Sequence, residues 1–177
     1  MTQHDVATAE KLDPAWVEEF IPQWAAAWNS HDPDQLLALM TDDIVYDDSA
    51  WPTTMRGHGD VREFLAHTWR GIPDLRFEER EGPFVHPSKP KAAFWWDGYG
   101  THTGPIDPPG LAATGKRLEF DGADFHEYRD GKVARLRIVF DMAGLMRQLG
   151  VLPTAGGRQE RMLAKVTNVR GKLPTRD

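Results

Sequence analysis

The sequence predicts an α+β domain in which helices pack on one face of a long sheet. Three observations carry that expectation. Apolar residues recur at helical spacing as far as Trp69, the period changes to two from Leu75 onward, and the strand-like runs are long and aromatic. Helices followed by a meander of strands give segregated layers rather than alternating βαβ units. Strands this long and this aromatic are expected to curl around whatever fills their concave side.

Residues 1–12 read as a flexible arm. Asp13-Pro14 then supplies an N-cap followed by proline at the first helical position. Trp16, Phe20, Trp24 and Trp28 recur every four residues and form one stripe of a helix, with Pro22 expected to kink it. Asp32-Pro33 repeats the start signal for a short helix carrying Leu36, Leu37 and Met40. Ile44 to Asp48 reads as a strand with Ile44, Tyr46 and Asp48 on one face. After a loop through Trp51-Pro52, residues Val61, Phe64, Leu65, Thr68 and Trp69 mark a third helix, stopped by Gly71 and Pro73.

Four strands are then expected at Leu75–Glu81, Lys91–Thr103, Lys116–Tyr128 and Lys132–Phe140, with Asp130-Gly131 as the hairpin turn between the last two. Residues 104–115 read as a long loop, and Ala143 to Leu149 as a short helix ended by Gly150. The globular part is therefore expected at 13–152, followed by a polar tail at 153–177 that is helical at most in part.

Composition bounds the function. The 177 residues are 40% hydrophobic and include seven Trp and eight Phe, enough for one domain burying roughly two thirds of its unfolded surface. With no cysteine, disulfides, thiolate zinc sites and cysteine nucleophiles are excluded. A net charge of −6 argues against a nucleic-acid partner, which demands a basic face. No apolar run is long enough for a membrane span, and the polar start lacks a signal-peptide core, so a cytoplasmic protein is expected. Residues 110–117 approach a phosphate-binding loop, but the closing Ser or Thr is missing and a strand follows where a helix is required.

Four stretches, in order, carry a resemblance. They are Gly100-Thr101-His102-Thr103-Gly104, Ala113-Thr114-Gly115-Lys116, Asp130-Gly131-Lys132-Val133, and the run from Asp141 through Gly144-Leu145-Met146-Arg147-Gln148-Leu149-Gly150. Together they resemble the SnoaL-like polyketide cyclases of the NTF2-like superfamily, over about Trp16 to Leu152. The resemblance implies a cone: helices on a strongly curved antiparallel or mixed sheet that encloses an apolar pocket. It implies intramolecular aldol-type ring closure on a hydrophobic, carbonyl-bearing small molecule, without metal or cofactor, in a homodimer. It also implies catalytic roles for Asp141, matched by its motif, and His126, matched by its distance from Asp141.

Aldol closure requires a base for a proton beside a carbonyl and a donor for the resulting oxyanion. Asp141 suits the first role and His126 the second, while Asp141 as nothing more than a helix cap remains an equal alternative. Trp28, Tyr46, Asp48, Trp51, Phe64, Asp97, Tyr99, His102, Arg137 and Leu145 are the further candidates for lining the pocket or binding substrate. Asp97 must lie either at the pocket or on the solvent side, because a buried unpaired acid is costly. Arg135 and Arg137 share a strand face with Val139 and Asp141; an arginine there would hold Asp141 ionised, or grip an anionic substrate. Two other readings stay open: a limonene-type epoxide hydrolase or an isomerase or dehydratase on the same fold, and a non-catalytic dimeric module that binds a small ligand.

Overall fold

A computed structural model describes residues 11–107 and 110–170. Eleven elements follow one another: α1 (Pro14–Asn29), α2 (Pro33–Ala38), β1 (Met40–Asp48), β2 (Met55–Arg56), α3 (Gly57–Gly71), β3 (Arg76–Val85), β4 (Lys91–Thr101), β5 (Arg117–Arg129), β6 (Lys132–Phe140), α4 (Met142–Leu149) and α5 (Arg158–Arg170). The strands form one curled sheet of order β2-β1-β6-β5-β4-β3. β1 runs parallel to β6, and every other pairing is antiparallel. This is the α+β architecture that the change of period predicts.

Local chemistry sets the helix starts. The Asp13 carboxylate accepts the Ala15 amide at 3.0 Å, and Asp32 accepts the Asp34 amide at 2.9 Å, so both Asp-Pro pairs act as caps. α1 continues as one helix through Pro22 rather than dividing there. Its buried face carries Val17, Phe20, Ile21, Trp24 and Trp28, which pack with α3 residues Val61, Phe64 and Leu65 against the inner face of the sheet. The hairpin at Asp130-Gly131 has both residues at positive φ, 53° and 73°, as a two-residue turn of this hand requires.

Two elements exceed their expected limits. β1 starts at Met40, four residues early, and β3 runs past Glu81 to Val85. Pro83 falls where the register with β4 shifts, between Glu81 and Phe84, and β3 is an edge strand, so a residue without an N–H is tolerated there. The short β2 falls in a segment read as loop.

The expected arm lies almost entirely outside the described residues; of its last two residues, Leu12 packs against the core. In the tail, α5 carries Met162, Leu163 and Val166 exposed to solvent, and residues 171–177 lie outside the description. Among the described residues no helix is long and apolar enough to cross a membrane.

Candidate active site

The inner face of the sheet, α1, α3 and α4 enclose a cavity of about 210 Å³. Its wall is mainly apolar: Trp24, Trp28, Trp51, Phe64, Phe77, Phe94, Trp96, Phe120, Phe140, Leu145 and Met146 all contribute. Among the described residues the polar side chains of the wall are Asp48, His67, Thr68, Glu78, Glu79, Asp107 and Asp124, and no lysine or arginine is among them.

Asp124 is the centre of the polar network. It lies on β5 opposite Phe94 of β4 and Ile138 of β6, and it is only 2% exposed. Its Oδ1 accepts the Trp96 indole N–H at 2.7 Å, and its Oδ2 accepts the Trp24 indole N–H at 3.1 Å. His126 Nε2 stands 3.4 Å from the same Oδ2, and His126 Nδ1 lies 2.9 Å from the Tyr128 hydroxyl. A consistent assignment has Tyr128 donating to Nδ1 and Nε2–H facing the carboxylate, which leaves no ring nitrogen of this buried histidine unpaired. Strand alternation puts Asp124, His126 and Tyr128 on one face, and α1 delivers Trp24 from above.

Gly122 makes the Trp96 contact possible. A Cβ at that position would sit 2.5 Å from Cζ2 of the Trp96 ring, so only glycine lets the indole lie across β5 toward Asp124.

Asp48 is the second acid of the wall. Its Oδ1 accepts the Ala50 amide at 2.7 Å. Burial nevertheless raises its pKa from the ordinary 3.8 to about 7, and the Asp124 carboxylate pushes in the same direction against the Ala50 hydrogen bond. Beside it on the same face, the Tyr46 hydroxyl is buried without a partner of hydrogen-bond geometry, although Asp48 acts on it. Desolvation drives the Tyr46 phenol well above its usual value, with Asp48 and Asp124 adding to the shift, and burial raises the Tyr128 phenol in the same way.

The structure thus brings together Trp28, Asp48, Trp51, Phe64 and Leu145 of the expected set on the cavity wall, with Tyr46 buried behind it. It does not bring the rest there. Asp141 is exposed; its Oδ1 accepts the Gly144 amide at 2.9 Å and caps α4. It borders a shallow hollow on the outer face with Phe84, Trp95 and Phe125. That placement corrects the expectation that Asp141 acts inside the cone: two-residue alternation through Arg135, Arg137 and Val139 carries it to the outside. Arg137 is exposed on that outer face and grips nothing in the cavity.

Asp97 and Tyr99 alternate outward as well, and the Arg80 Nε donates to Asp97 Oδ2 at 2.9 Å. Asp97 is therefore on the solvent side and not among the acids of the cavity wall. His102 is fully buried beside Thr114, whose hydroxyl lies 3.0 Å from Nδ1, and it secures the loop instead of lining the cavity. Burial lowers its pKa. His126 faces inward as expected, but behind Asp124 rather than on the cavity wall.

Reasoning from sequence missed Asp124. The signal was present: an acid two residues before His126 and a tyrosine two residues after it share its strand face. Among the described residues no group of three or more His, Asp or Glu side chains is placed to hold a metal ion.

A curled sheet closing over an aromatic cavity, with carboxyl groups set into its wall, defines the cone-shaped α+β class. The family model for SnoaL-like polyketide cyclases matches residues 18–149, and the chain belongs to that family. TsrD from Streptomyces laurentii is similar in structure, with a TM-score of 0.68 and 27% identity over 80% of this chain and 100% of that chain. AclR from Streptomyces galilaeus, provisionally a hydroxylase, gives 0.66 and 23% over 80% of this chain and 100% of that one. A protein of ketosteroid isomerase-like fold from Catenulispora acidiphila gives 0.62 and 19% over 75% of this chain and 92% of that one. No curated protein matches the chain.

Proposed function

We propose that the chain is an acid/base enzyme of the polyketide cyclase type, acting on an uncharged, hydrophobic, carbonyl-bearing small molecule with Asp48 as the proton-transfer group. The observation that carries this reading is the Asp48 carboxyl on the wall of an aromatic cavity, with its pKa raised to about 7. A base works best when its pKa lies near the working pH, since it is then both available and strong. The uncharged substrate is supported by the wall, where five carboxyl side chains, with no lysine or arginine among the described residues, would repel an anion.

In this reading the Asp48 carboxylate removes a proton from a carbon beside a carbonyl. The C–H electron pair enters the enolate, whose carbon attacks a second carbonyl of the same molecule and forms the new C–C bond. The second carbonyl oxygen takes up a proton, returned from Asp48, and the carboxylate is regenerated. The aromatic wall holds both carbons in one conformation and keeps water from quenching the enolate. Asp124 positions the wall by tying Trp24 and Trp96 together, and its charge helps hold Asp48 poised.

The test is deuterium exchange at the carbon beside the carbonyl of 2-tetralone in D2O, followed by NMR. The enzyme should accelerate exchange, and the rate should rise with pH through about 7, because the deprotonated Asp48 is the active form. Asp48→Asn should lower the rate about 10²–10⁴-fold, the usual contribution of a general base, without lowering the melting temperature. Exchange at the buffer rate in the wild type, or an Asn variant as fast as the wild type, would overturn the proposal.

A further inference from the structure

Several polar groups of the cavity wall have no part in that mechanism, and one of them is an imidazole. His67 lies on α3 next to Thr68, half-buried, with its ring 5.5 Å from the Trp51 ring at centroids. Its Nδ1 is 2.8 Å from the Glu63 carbonyl oxygen one helical turn earlier. A carbonyl only accepts, so Nδ1 carries the hydrogen, and in the neutral ring Nε2 is left as a bare acceptor. Among the described residues no protein donor reaches Nε2. Among the described residues the other side-chain acceptors of the wall are carboxyl groups and the Thr68 hydroxyl, and no other imidazole lines it.

We infer that His67 is a specificity-determining residue that accepts a hydrogen bond from a hydroxyl group of the bound molecule, a phenol or an enol, through Nε2. The inference rests on the proposed cavity but not on Asp48 chemistry. The helix fixes the tautomer and Trp51 fixes the ring plane, so the acceptor is oriented before the ligand arrives. A hydroxyl that enters the cavity loses water, and a placed acceptor is what makes that loss tolerable. The ligand therefore carries a ring hydroxyl for His67. A cavity of about 210 Å³ has room for such a fused two-ring molecule, given that engineered cavities of about 150 Å³ hold one benzene.

The probes are 1-naphthol and naphthalene, which differ by the hydroxyl alone, with binding read from the quenching of tryptophan fluorescence. The wild type should bind 1-naphthol about three- to tenfold more tightly than naphthalene beyond the difference set by partitioning into an apolar solvent, the usual worth of one neutral hydrogen bond. His67→Phe should erase that preference while naphthalene affinity stays within about twofold, since the ring contact with Trp51 is kept. His67→Gln, whose amide oxygen reaches to the place of Nε2, should restore part of it. A preference that survives in His67→Phe would overturn the assignment, as would failure of both 1-naphthol and naphthalene to bind the wild type. The two failures separate: the first removes His67 alone, the second removes the cavity as a site for two-ring aromatic molecules, and the Asp48 reading is decided by the tetralone exchange in either case.

Discussion

β4 carries two adjacent tryptophans, and each donates its indole hydrogen to an aspartate of β5. Trp96 reaches Asp124 at 2.7 Å on the inner face, and Trp95 reaches Asp121 at 2.9 Å on the outer face. The pairs match in chemistry and nearly in length, yet their surroundings are opposite. Asp124 is buried with a second indole and an imidazole around it. Asp121 is exposed, within reach of Arg80, whose guanidinium also lies 4.7 Å from the Trp95 ring. Water competes for every group of the outer pair and for none of the inner one. The same two residue types therefore give a surface ornament on one side of the sheet and the frame of a cavity on the other.

That contrast is sharpest in stability. Asp124→Ala leaves two buried indole donors and His126 without their acceptor, and it should cost about 3–5 kcal/mol in urea unfolding. Asp121→Ala should change stability by no more than about 0.5 kcal/mol in the same measurement, as for most surface substitutions. Equal losses at the two positions would break the distinction between the faces. The smallest expected effect is at another outer acid: Asp141→Asn should leave both the melting temperature and the tetralone exchange rate nearly unchanged. Asparagine caps a helix about as well as aspartate, and the residue stands outside the cavity. A large fall in exchange with the fold intact would return Asp141 to the mechanism.

The architecture was readable because it rests on local signals. The two Asp-Pro starts, the stripe of Trp24 and Trp28, the Asp130-Gly131 turn and the Gly150 stop each depend on a few neighbouring residues. The site was readable only where alternation was followed consistently. Ile44, Tyr46 and Asp48 share a face, and Asp48 is on the cavity wall. The same rule, applied past Arg135 and Arg137, carries Asp141 outward, whereas the motif match drew it inward.

Asp124 escaped notice because its meaning depends on partners far away in the chain. Trp24 lies 100 residues before it and Trp96 lies 28 before it, and nothing near Asp124 in sequence announces them. Gly122 holds the same lesson. Its lack of a side chain matters only because Trp96 crosses the sheet at that point.

The proposed proton transfer depends most on an acid set in an apolar wall and held near neutrality. Carbon-13 NMR of the Asp48 side-chain carboxyl, followed from pH 3 to pH 9 and assigned by comparison with Asp48→Asn, measures it directly. The account predicts a midpoint of about 7, with the carboxyl protonated below it and ionised above. A midpoint near the ordinary 3.8 would mean that Asp48 is solvated like any surface acid, and the proposed proton transfer would have no base.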